Sequence, residues 1–394
     1  MSARGSEGEE AGARRKKKKI LFLSRGDSLY DEMFLRSFLT EFEVACATFN
    51  PKPTVNLSNS TKLILMSNAL MFLYNYTRAR YLIYSLGHRQ IKNVIEREKP
   101  DLMVCSYSTT YGFMGARSGF HPFVLITFGS DLLLAPKSPL LAGRTRLALS
   151  KADLVLVDGA TAERAAVKLG ADEKRILKFT RFDPDLVLKV GKAEGSSSLR
   201  SKLGIEDKDK KVVLHTRWFE SLYNVETVVR GFALASKKVP DLVLVLVGSG
   251  SLEARIRRLV KGLGIGDRVY FTGRVPRQEL ISMCDEADVY VSASLSDSMH
   301  GSLMEAICRG TPAIVSDSET NREWIQDGVS GLLFNPSSPR ELADKIITVL
   351  QDPGKFKEMA LSAKSDLMRR SHWHEGEQSM IQKLLELSES TEER

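Results

Sequence analysis

The sequence predicts an α/β protein with two Rossmann-like, doubly wound domains that face each other across a cleft. Three observations support this prediction. The chain has 394 residues, which is too long for one ordinary domain. Short apolar runs alternate with helical patterns in two separate series, as expected of parallel sheets covered by helices. A stretch rich in glycine, serine and charged residues, 191–210, separates the two series and predicts a linker.

Short apolar segments bounded by glycine or polar residues are typical of buried parallel strands. The predicted strands of the first series are 20–23, 102–105, 123–126 and 154–157. Those of the second series are 212–215, 242–247, 268–271, 289–291 and 313–315. The domains are therefore predicted at 20–190 and 211–365. A C-terminal segment, 366–394, includes an amphipathic helical pattern over 375–388 and is expected to pack back on the N-terminal domain.

Composition excludes several classes of protein. Hydrophobic residues make up 43% and charged residues 27%, which is a globular balance. The four cysteines form no CxxC pair, which argues against a zinc site or a disulfide framework. The chain shows neither a signal-peptide core nor an apolar run long enough to span a bilayer. We therefore expect a cytoplasmic protein, soluble or bound at the cytoplasmic face of a membrane.

Two segments raise the question of other partners. The net charge of +8 includes a basic block at 14–19, which we interpret as part of a disordered basic leader, 1–19. No aromatic and basic platform accompanies the block, so no nucleic-acid partner is expected. Residues 63–86 are rich in large apolar and aromatic side chains with Arg78 and Arg80 among them. They predict a helix with one of two roles. The helix contacts a membrane or a lipid-linked molecule, or it covers the N-terminal sheet.

The segment 296–310 has the features of an anion site. It follows the predicted strand 289–291 and precedes a helix that is expected to begin near Gly301. A glycine at this place lets an anion approach the backbone, and the amides of Ser302 and Leu303 would point toward the anion. A nucleotide-sugar enzyme needs such a site for the diphosphate of its donor.

Two carboxylates lie eight residues apart in the same segment. Asp297 falls in the loop and Glu305 falls two turns into the predicted helix. This separation would let one carboxylate reach a sugar and the other reach a ribose diol. Together with the run 310–317 that follows, the Asp297-x7-Glu305 pattern resembles the signature of family 4 retaining glycosyltransferases (group 1) with the GT-B fold. The resemblance extends over 212–350 and includes the segments 247–252, 269–275 and 321–325.

The resemblance implies a retaining glycosyltransferase that moves a sugar from a nucleotide-diphosphate sugar to a glycan or a lipid-linked acceptor. UDP is the default base of the family and GDP is the next. The implied catalytic residues are Arg217, which matches the arginine of the diphosphate clamp, and Asp297, whose position contacts the donor sugar. The residues implied to bind the donor are Gly26, Gly248, Arg274, Val275, His300, Gly301, Ser302, Leu303, Glu305 and Arg322.

Within that donor site the family pattern gives specific roles. Glu305 would bind the ribose hydroxyls, and the backbone at Arg274 and Val275 would place the base. Within this site the sequence departs from the pattern at two positions. Asp297 stands where the family usually has glutamate. Tyr223 stands where the clamp lysine is expected, and Arg322 is a candidate to replace that lysine.

Two further departures leave roles open. His300 occupies a position where glycine is common; it either contacts the sugar or is a partly exposed loop histidine without a role. Phe128 stands where the family has a histidine near the reacting sugar, in the segment 128–131. No catalytic side chain is therefore assigned to the N-terminal half. Asp131 is instead expected to cap the following helix.

No metal or other cofactor is predicted. The segments 183–185 and 207–209 imitate the DxD metal motif, but we interpret both as solvated turns. Other functions remain open at this point. They are a nucleotide-sugar 2-epimerase on the same fold, a nucleotide-sugar-binding protein whose transferase site has decayed, and a nucleic-acid-binding protein that uses the basic leader.

Overall fold

The computed structural model describes residues 17–54, 61–66, 84–191, 199–205, 207, 209–297 and 299–390. The first series of strands forms a seven-stranded sheet in the order β3-β2-β1-β4-β5-β6-β7. The strand pairs β1–β2, β1–β4, β2–β3 and β6–β7 are parallel. The strands are β1 (Lys19–Leu23), β2 (Glu43–Thr48), β3 (Thr61–Leu65), β4 (Leu102–Ser106), β5 (Phe123–Ile126), β6 (Leu154–Val157) and β7 (Ile176–Lys178).

Helices follow these strands, as expected for parallel crossover connections. They are α1 (Leu29–Glu41), α2 (His88–Glu98), α3 (Gly112–Ser118), α4 (Ser130–Leu133), α5 (Pro139–Lys151), α6 (Gly159–Lys168) and α7 (Pro184–Leu188). The first helix begins at a capping box, in which Ser28 Oγ accepts the amide of Asp31 and the Asp31 carboxylate accepts the amide of Ser28.

The second series forms a parallel six-stranded sheet in the order β10-β9-β8-β11-β12-β13. The chain reverses its direction of strand addition between β8 and β11. At such a switch point the loops that leave two neighbouring strands diverge, and ligands bind there in open α/β sheets. The strands are β8 (Lys211–His215), β9 (Leu242–Val247), β10 (Val269–Gly273), β11 (Val289–Ser292), β12 (Ala313–Ser316) and β13 (Leu332–Phe334).

The helices that accompany this sheet are α8 (Leu199–Lys202), α9 (Val225–Ala235), α10 (Glu253–Gly262), α11 (Arg277–Glu286), α12 (Gly301–Cys308), α13 (Glu319–Trp324), α14 (Pro339–Gln351), α15 (Pro353–Arg370) and α16 (Trp373–Glu389). The core lies between the sheet and α9 with α14, where Phe232, Leu342 and Ile346 are buried with the valines and leucines of the strands. None of the described helices combines the length and apolar character needed to cross a bilayer.

Contacts between Cα atoms divide the chain into two compact units. One contains the described residues of Met1–Leu125, Lys151–Asp153 and Ile381–Arg394. The other contains Ile126–Ser150 and the described residues of Leu154–Met380. Gly26 belongs to the first unit, and the other residues named above as catalytic or donor-binding belong to the second.

Every predicted strand is present, but the structure adds β2, β3, β7 and β13 and corrects three segments. Residues 61–65 pair with β2, so the helix predicted from residue 63 is wrong at its beginning, and residues 67–83 lie outside the described part of the chain. The predicted linker contains α8, whose Leu199 is buried and whose first amides donate to Glu286.

The third correction concerns the segment 183–185, which is not a solvated turn. Asp183 is buried and is the N-cap of α7, where its Oδ1 accepts the amides of Asp185 and Leu186. Burial and two backbone hydrogen bonds therefore explain this aspartate as a structural cap.

Close packing of α9 against α14 generates the first prediction. A Cβ atom added at Gly231 would lie 2.7 Å from Leu342 Cδ2 and 2.9 Å from its Cγ, which is too close for a simple rotamer change. We expect Gly231→Ala to lower the free energy of unfolding by about 1 kcal/mol, because overpacking outweighs the gain in helix propensity. The matched control is Gly262→Ala on α10, where the added methyl group meets open space. That variant should be more stable than the wild type by about 0.5–1 kcal/mol. Urea unfolding measures both, and equal stability of the two variants would contradict the packing argument.

Candidate active site

Arg217 is the centre of the candidate site. It follows β8 directly, and its side chain is only 12% exposed. Its Nη2 donates to both carboxylate oxygens of Asp297 at 2.8 Å, and its Nη1 donates to Ser302 Oγ at 3.2 Å. The ring of Tyr223 lies 4.4 Å from the guanidinium carbon. Because Asp297 follows β11, this ion pair joins the two loops of the switch point.

The guanidinium of Arg217 remains charged and keeps unused donors. Burial opposes the charge, but Asp297 outweighs this effect, so the pKa of Arg217 is raised above its ordinary value. A guanidinium has five N–H groups, and the contacts with Asp297 and Ser302 use three of them. Arg217 Nε is buried and has no hydrogen-bond partner among the described residues. The Nε–H therefore lacks an acceptor, which an anion could supply.

The beginning of α12 lies beside this arginine. His300 is the N-cap residue of α12, but its side chain does not cap the helix. The first helical hydrogen bond at this end runs from the amide of Met304 to the carbonyl of His300, at 3.1 Å. The amides of Gly301, Ser302 and Leu303 therefore have no partner within the helix, as at any helix N-terminus. Together with the Nε–H of Arg217, they provide donors for an anion.

Glu305 lies one turn further into α12 and is almost fully buried. Arg277, the first residue of α11, donates from Nε to Glu305 Oε1 at 2.8 Å. Burial raises the pKa of Glu305, and Arg277 and Arg217 oppose this effect. The ion pair with Arg277 fixes one oxygen of the carboxylate, so the other oxygen is the one that could accept ligand hydroxyl groups.

His300 is fully buried, so its interpretation as a partly exposed loop histidine is wrong. Its Nδ1 lies 3.0 Å from Asn321 Oδ1, and its Nε2 lies 3.3 Å from the hydroxyl of Tyr290. Because Asn321 Nδ2 donates to the carbonyl of Ser316, Asn321 Oδ1 is the acceptor and Nδ1 of His300 carries a proton. The hydroxyl of Tyr290 also lies 3.0 Å from Ser302 Oγ, and because it has one proton and Nε2 of His300 has none, Tyr290 can donate to only one of these two neighbours at a time.

Two buried imidazoles near Arg217 are neutral at physiological pH. Burial, followed by the nearby charge of Arg217, lowers the pKa of His300 to about 4. Burial also lowers the pKa of His215 to about 4, and its Nδ1 donates to the carbonyl of Val291 at 2.9 Å. Both histidines therefore act here as hydrogen-bonding groups rather than as charges.

Gly248 and Arg274 lie at the ends of the next two strands of the sheet. Gly248 has φ of +138°, and a Cβ atom there would lie 2.6 Å from the carbonyl oxygen of Arg217. Only glycine therefore lets the Arg217 loop pass this close to β9. The guanidinium of Arg274 lies 5.0 Å from the ring of Trp218, which is half exposed, and Val275 follows it before α11.

The structure records no contact between Arg322 and this group among the described residues. Arg322 lies on α13 and pairs with Asp317 through two hydrogen bonds, and its side chain is 62% exposed. Gly26 lies in the other compact unit. It has φ of +64°, and its amide donates to Ser24 Oγ at 3.1 Å.

The segment 128–131 differs from its predicted role. Gly129 is the N-cap of α4, and no side chain caps this helix. Asp131 is buried within the first turn, and its Oδ1 accepts the amide of Phe128 at 3.0 Å. The aspartate therefore holds the turn before the helix instead of capping the helix.

Sequence reasoning missed Tyr290, Arg277 and Asn321. Tyr290 lies in the middle of an apolar strand, where the pattern predicts a core residue. The one feature that could have indicated its role is its hydroxyl group, which needs a hydrogen-bond partner when it is buried. Arg277 follows the segment 269–275 and Asn321 begins the segment 321–325, both of which the family resemblance includes, but their contacts depend on the packing of α11 and α13.

One further cluster lies near α7. Ligand atoms of Asp183, Asp185 and His374 lie within 4.8 Å of one another, a spacing that could hold a metal ion. His374 is exposed, and one oxygen of Asp183 already accepts two amides as the cap of α7. The capping role of Asp183 and the ion pair between Asp185 and His374 explain this grouping without a metal ion.

Comparison with known families assigns the chain. The profile described as Glycosyl transferases group 1 matches residues 197–366, and the profile described as Glycosyl transferase 4-like matches residues 19–159. The two matches leave only the chain ends and residues 160–196 unmatched. The chain belongs to the group 1 glycosyltransferases of the GT4 type.

Curated relatives match over different lengths. The alpha-monoglucosyldiacylglycerol synthase of Streptococcus pneumoniae is 30% identical over 197 residues, which are 49% of this chain and 43% of that protein. The N-acetyl-alpha-D-glucosaminyl L-malate synthase of Bacillus anthracis is 25% identical over 299 residues, 74% of this chain and 76% of that protein. An uncharacterized glycosyltransferase of Methanocaldococcus jannaschii is 26% identical over 38% of each chain. The match therefore spans less than half the length of the pneumococcal and archaeal relatives.

Solved structures share the fold. Anabaena HepE in complex with UDP and glucose has a TM-score of 0.74 at 20% identity, covering 94% of this chain and 100% of that chain. The sucrose-phosphate synthase of Thermosynechococcus elongatus has a TM-score of 0.78 at 20% identity, covering 95% and 100%. The two parallel-sheet domains therefore have the GT-B fold.

The lowered pKa values of His215 and His300 give the second prediction. The unfolded chain takes up a proton on each imidazole near pH 6.5, whereas the folded protein does so only near pH 4. Stability should therefore fall as the pH drops from about 6.5 toward 4. In an NMR titration of the folded protein, these two imidazoles should show no shift between pH 8 and pH 5. His300→Gln assigns one of the two signals, and the urea-unfolded chain is the control in which all histidines titrate. A shift of either signal in that range, with the fold intact, would contradict the assignment.

Proposed function

We propose that this protein is a retaining glycosyltransferase that moves a sugar from a nucleotide-diphosphate sugar, first UDP-linked and second GDP-linked, to a glycan or lipid-linked acceptor. One observation carries the proposal: the Nε–H of buried Arg217 has no partner among the described residues, and it lies beside the uncapped beginning of α12. A diphosphate would supply the negative charge and the acceptor oxygens that both features lack.

The comparisons support the donor class and one type of acceptor. HepE, which shares the fold, was solved with UDP and glucose. The pneumococcal relative is named as a synthase of a glucosylated diacylglycerol, which supports a lipid acceptor. The aromatic and basic composition of 63–86 supports the same choice, with the protein at the cytoplasmic face of a membrane. The Bacillus relative is named for a malate acceptor, so a small acceptor is the second candidate.

The chemistry proposed for the site is electrostatic. Arg217 and the amides of Ser302 and Leu303 would stabilise the negative charge that develops on the departing phosphate. That phosphate would accept the proton of the attacking hydroxyl group as the glycosidic bond breaks, on the same face of the sugar. Glu305 would bind the ribose hydroxyls through the oxygen that Arg277 leaves free, and Asp297 would orient Arg217 while facing the sugar.

The intact site favours an enzyme over a decayed binding protein. In a decayed site we would not expect a buried arginine that is paired with Asp297 and still has an N–H group without a partner. An epimerase is not favoured by the family match either. Thermal-shift screening of UDP- and GDP-sugars tests the proposal and identifies the donor, because a ligand at a hundred times its Kd stabilises a protein by about 2.7 kcal/mol. The absence of any stabilisation by both nucleotide classes would overturn the proposal.

The third prediction concerns Arg217. We expect Arg217→Ala to lower kcat at least about a hundredfold, because one preorganised donor to a developing anion contributes about 2.7–4 kcal/mol. Arg217→Lys keeps the charge beside Asp297, and thus the fold, but lacks the forked geometry and should also be slow. Arg255→Ala on α10 is the matched control, since Arg255 pairs with Glu226 on an exposed surface. Near-normal turnover of Arg217→Ala would remove this residue from the mechanism.

We also propose that transfer needs no metal ion, and the fourth prediction tests this point. Arg217 and the helix amides already supply positive potential for the phosphates, so activity should be unchanged after treatment with EDTA. Asp185→Asn, which changes the carboxylate cluster near α7, should be equally active. If EDTA abolishes the activity and Mg²⁺ restores it, transfer depends on a metal ion and the proposal is wrong. If Mg²⁺ then fails to restore the activity of Asp185→Asn, the ion binds at the cluster near α7.

A further inference from the structure

Beneath Arg217 lies a connected group of buried polar side chains, which we call the Tyr290 network: Tyr290, His300, Ser302 and Asn321. It begins at the carbonyl of Ser316 on β12 and continues through Asn321, His300 and Tyr290 to Ser302 Oγ. Ser302 Oγ in turn accepts a hydrogen bond from Arg217 Nη1. The network therefore connects β12, α13, β11 and α12 to the arginine.

The position of this network is unusual for groups of this kind. Tyr290 and His300 are fully buried, and Tyr290 lies between the buried valines of β11. Burying a hydroxyl or an imidazole is unfavourable unless its hydrogen bonds are made, whereas a phenylalanine would fill the place of Tyr290 without that requirement. The hydroxyl of Tyr290 contacts both His300 Nε2 and Ser302 Oγ, and packing alone needs neither contact.

From this arrangement we propose that Tyr290, supported by His300 and Asn321, is a positioning residue that sets the Ser302 hydroxyl and thereby orients Arg217 toward the donor phosphates. The proposal rests on the proposed function, because it takes the anion beside Arg217 to be a diphosphate. It adds to that site a residue that acts from behind Ser302, and Tyr290 itself makes no contact with the donor.

The geometry explains how the effect reaches the arginine. The guanidinium is fixed at two points: Asp297 binds Nη2 and Ser302 binds Nη1. Two fixed points define the plane of the guanidinium, and with it the direction of the free Nε–H. Without the Tyr290 hydroxyl, Ser302 Oγ can rotate away, and the arginine keeps its contacts with Asp297 and the ring of Tyr223 but loses the fixed position of Nη1.

The test compares a ligand that has phosphates with one that lacks them. We expect Tyr290→Phe to weaken UDP binding about tenfold, the usual effect of losing one buried hydrogen bond, and to leave uridine binding unchanged. Tyr270→Phe is the matched control, because Tyr270 lies on β10, two strands away from β8. Equal weakening of UDP and uridine by Tyr290→Phe would overturn the proposal, since it would indicate general disruption.

A double-mutant cycle tests the route through Ser302. In the Ser302→Ala background, Tyr290→Phe should cause no further loss of UDP affinity, whereas additive losses would overturn the proposal. His300→Gln should weaken UDP binding in the same direction, again without affecting uridine. If the wild-type protein binds no nucleoside diphosphate at all, the proposed function itself fails. If the wild-type protein binds UDP and Tyr290→Phe binds it equally well, only the role of Tyr290 fails.

Discussion

The ion pair between Arg217 and Asp297 is the interaction on which the rest of the site depends. Both side chains are largely buried, and a charge left unpaired in such a place would cost several kcal/mol. The pair therefore fixes where the loops after β8 and β11 can lie. It also keeps the guanidinium charged while leaving its Nε–H without a partner among the described residues. A buried cation with unused donors is a structural arrangement that an anionic ligand completes.

Topology explains why the anion site lies at this place. The order of strands in the second sheet reverses between β8 and β11, so the loops after these two strands are neighbours that diverge. The same point of the sheet is followed by α12, whose first amides have no capping side chain. Glycine at position 248 lets the backbone at Arg217 lie close to the end of β9. The strand order, the uncapped start of α12 and the charge of Arg217 therefore all favour an anion at the same place.

Much of the fold could be predicted from the sequence because its strands are apolar and short. The runs 242–247 and 289–292 contain almost only branched or aromatic residues, and both are strands. The strands that were missed have weaker patterns: β2 begins with a glutamate and contains small residues, and β3 is polar at its start. Pairing with neighbours that are distant in sequence decides such segments, and a local pattern does not contain that information.

The candidate site could be predicted in part for the same physical reason. The positions of Gly301 and Glu305 followed from a strand, a loop and a helix in sequence order. The hydrogen bond from Tyr290 to Ser302, and the contact of Arg277 with Glu305, depend instead on how separate elements pack. One of the two interpretations of His300 was a partly exposed loop position, whereas the residue is buried and contacts Asn321 on α13.

A crystal structure of the protein with UDP would test the anion site most directly. We expect the β-phosphate to lie within hydrogen-bonding distance of Arg217 Nε and of the amides of Ser302 and Leu303, with the ribose against Glu305. A structure in which the nucleotide binds elsewhere, while Arg217 keeps only its contacts with Asp297 and Ser302, would contradict this assignment.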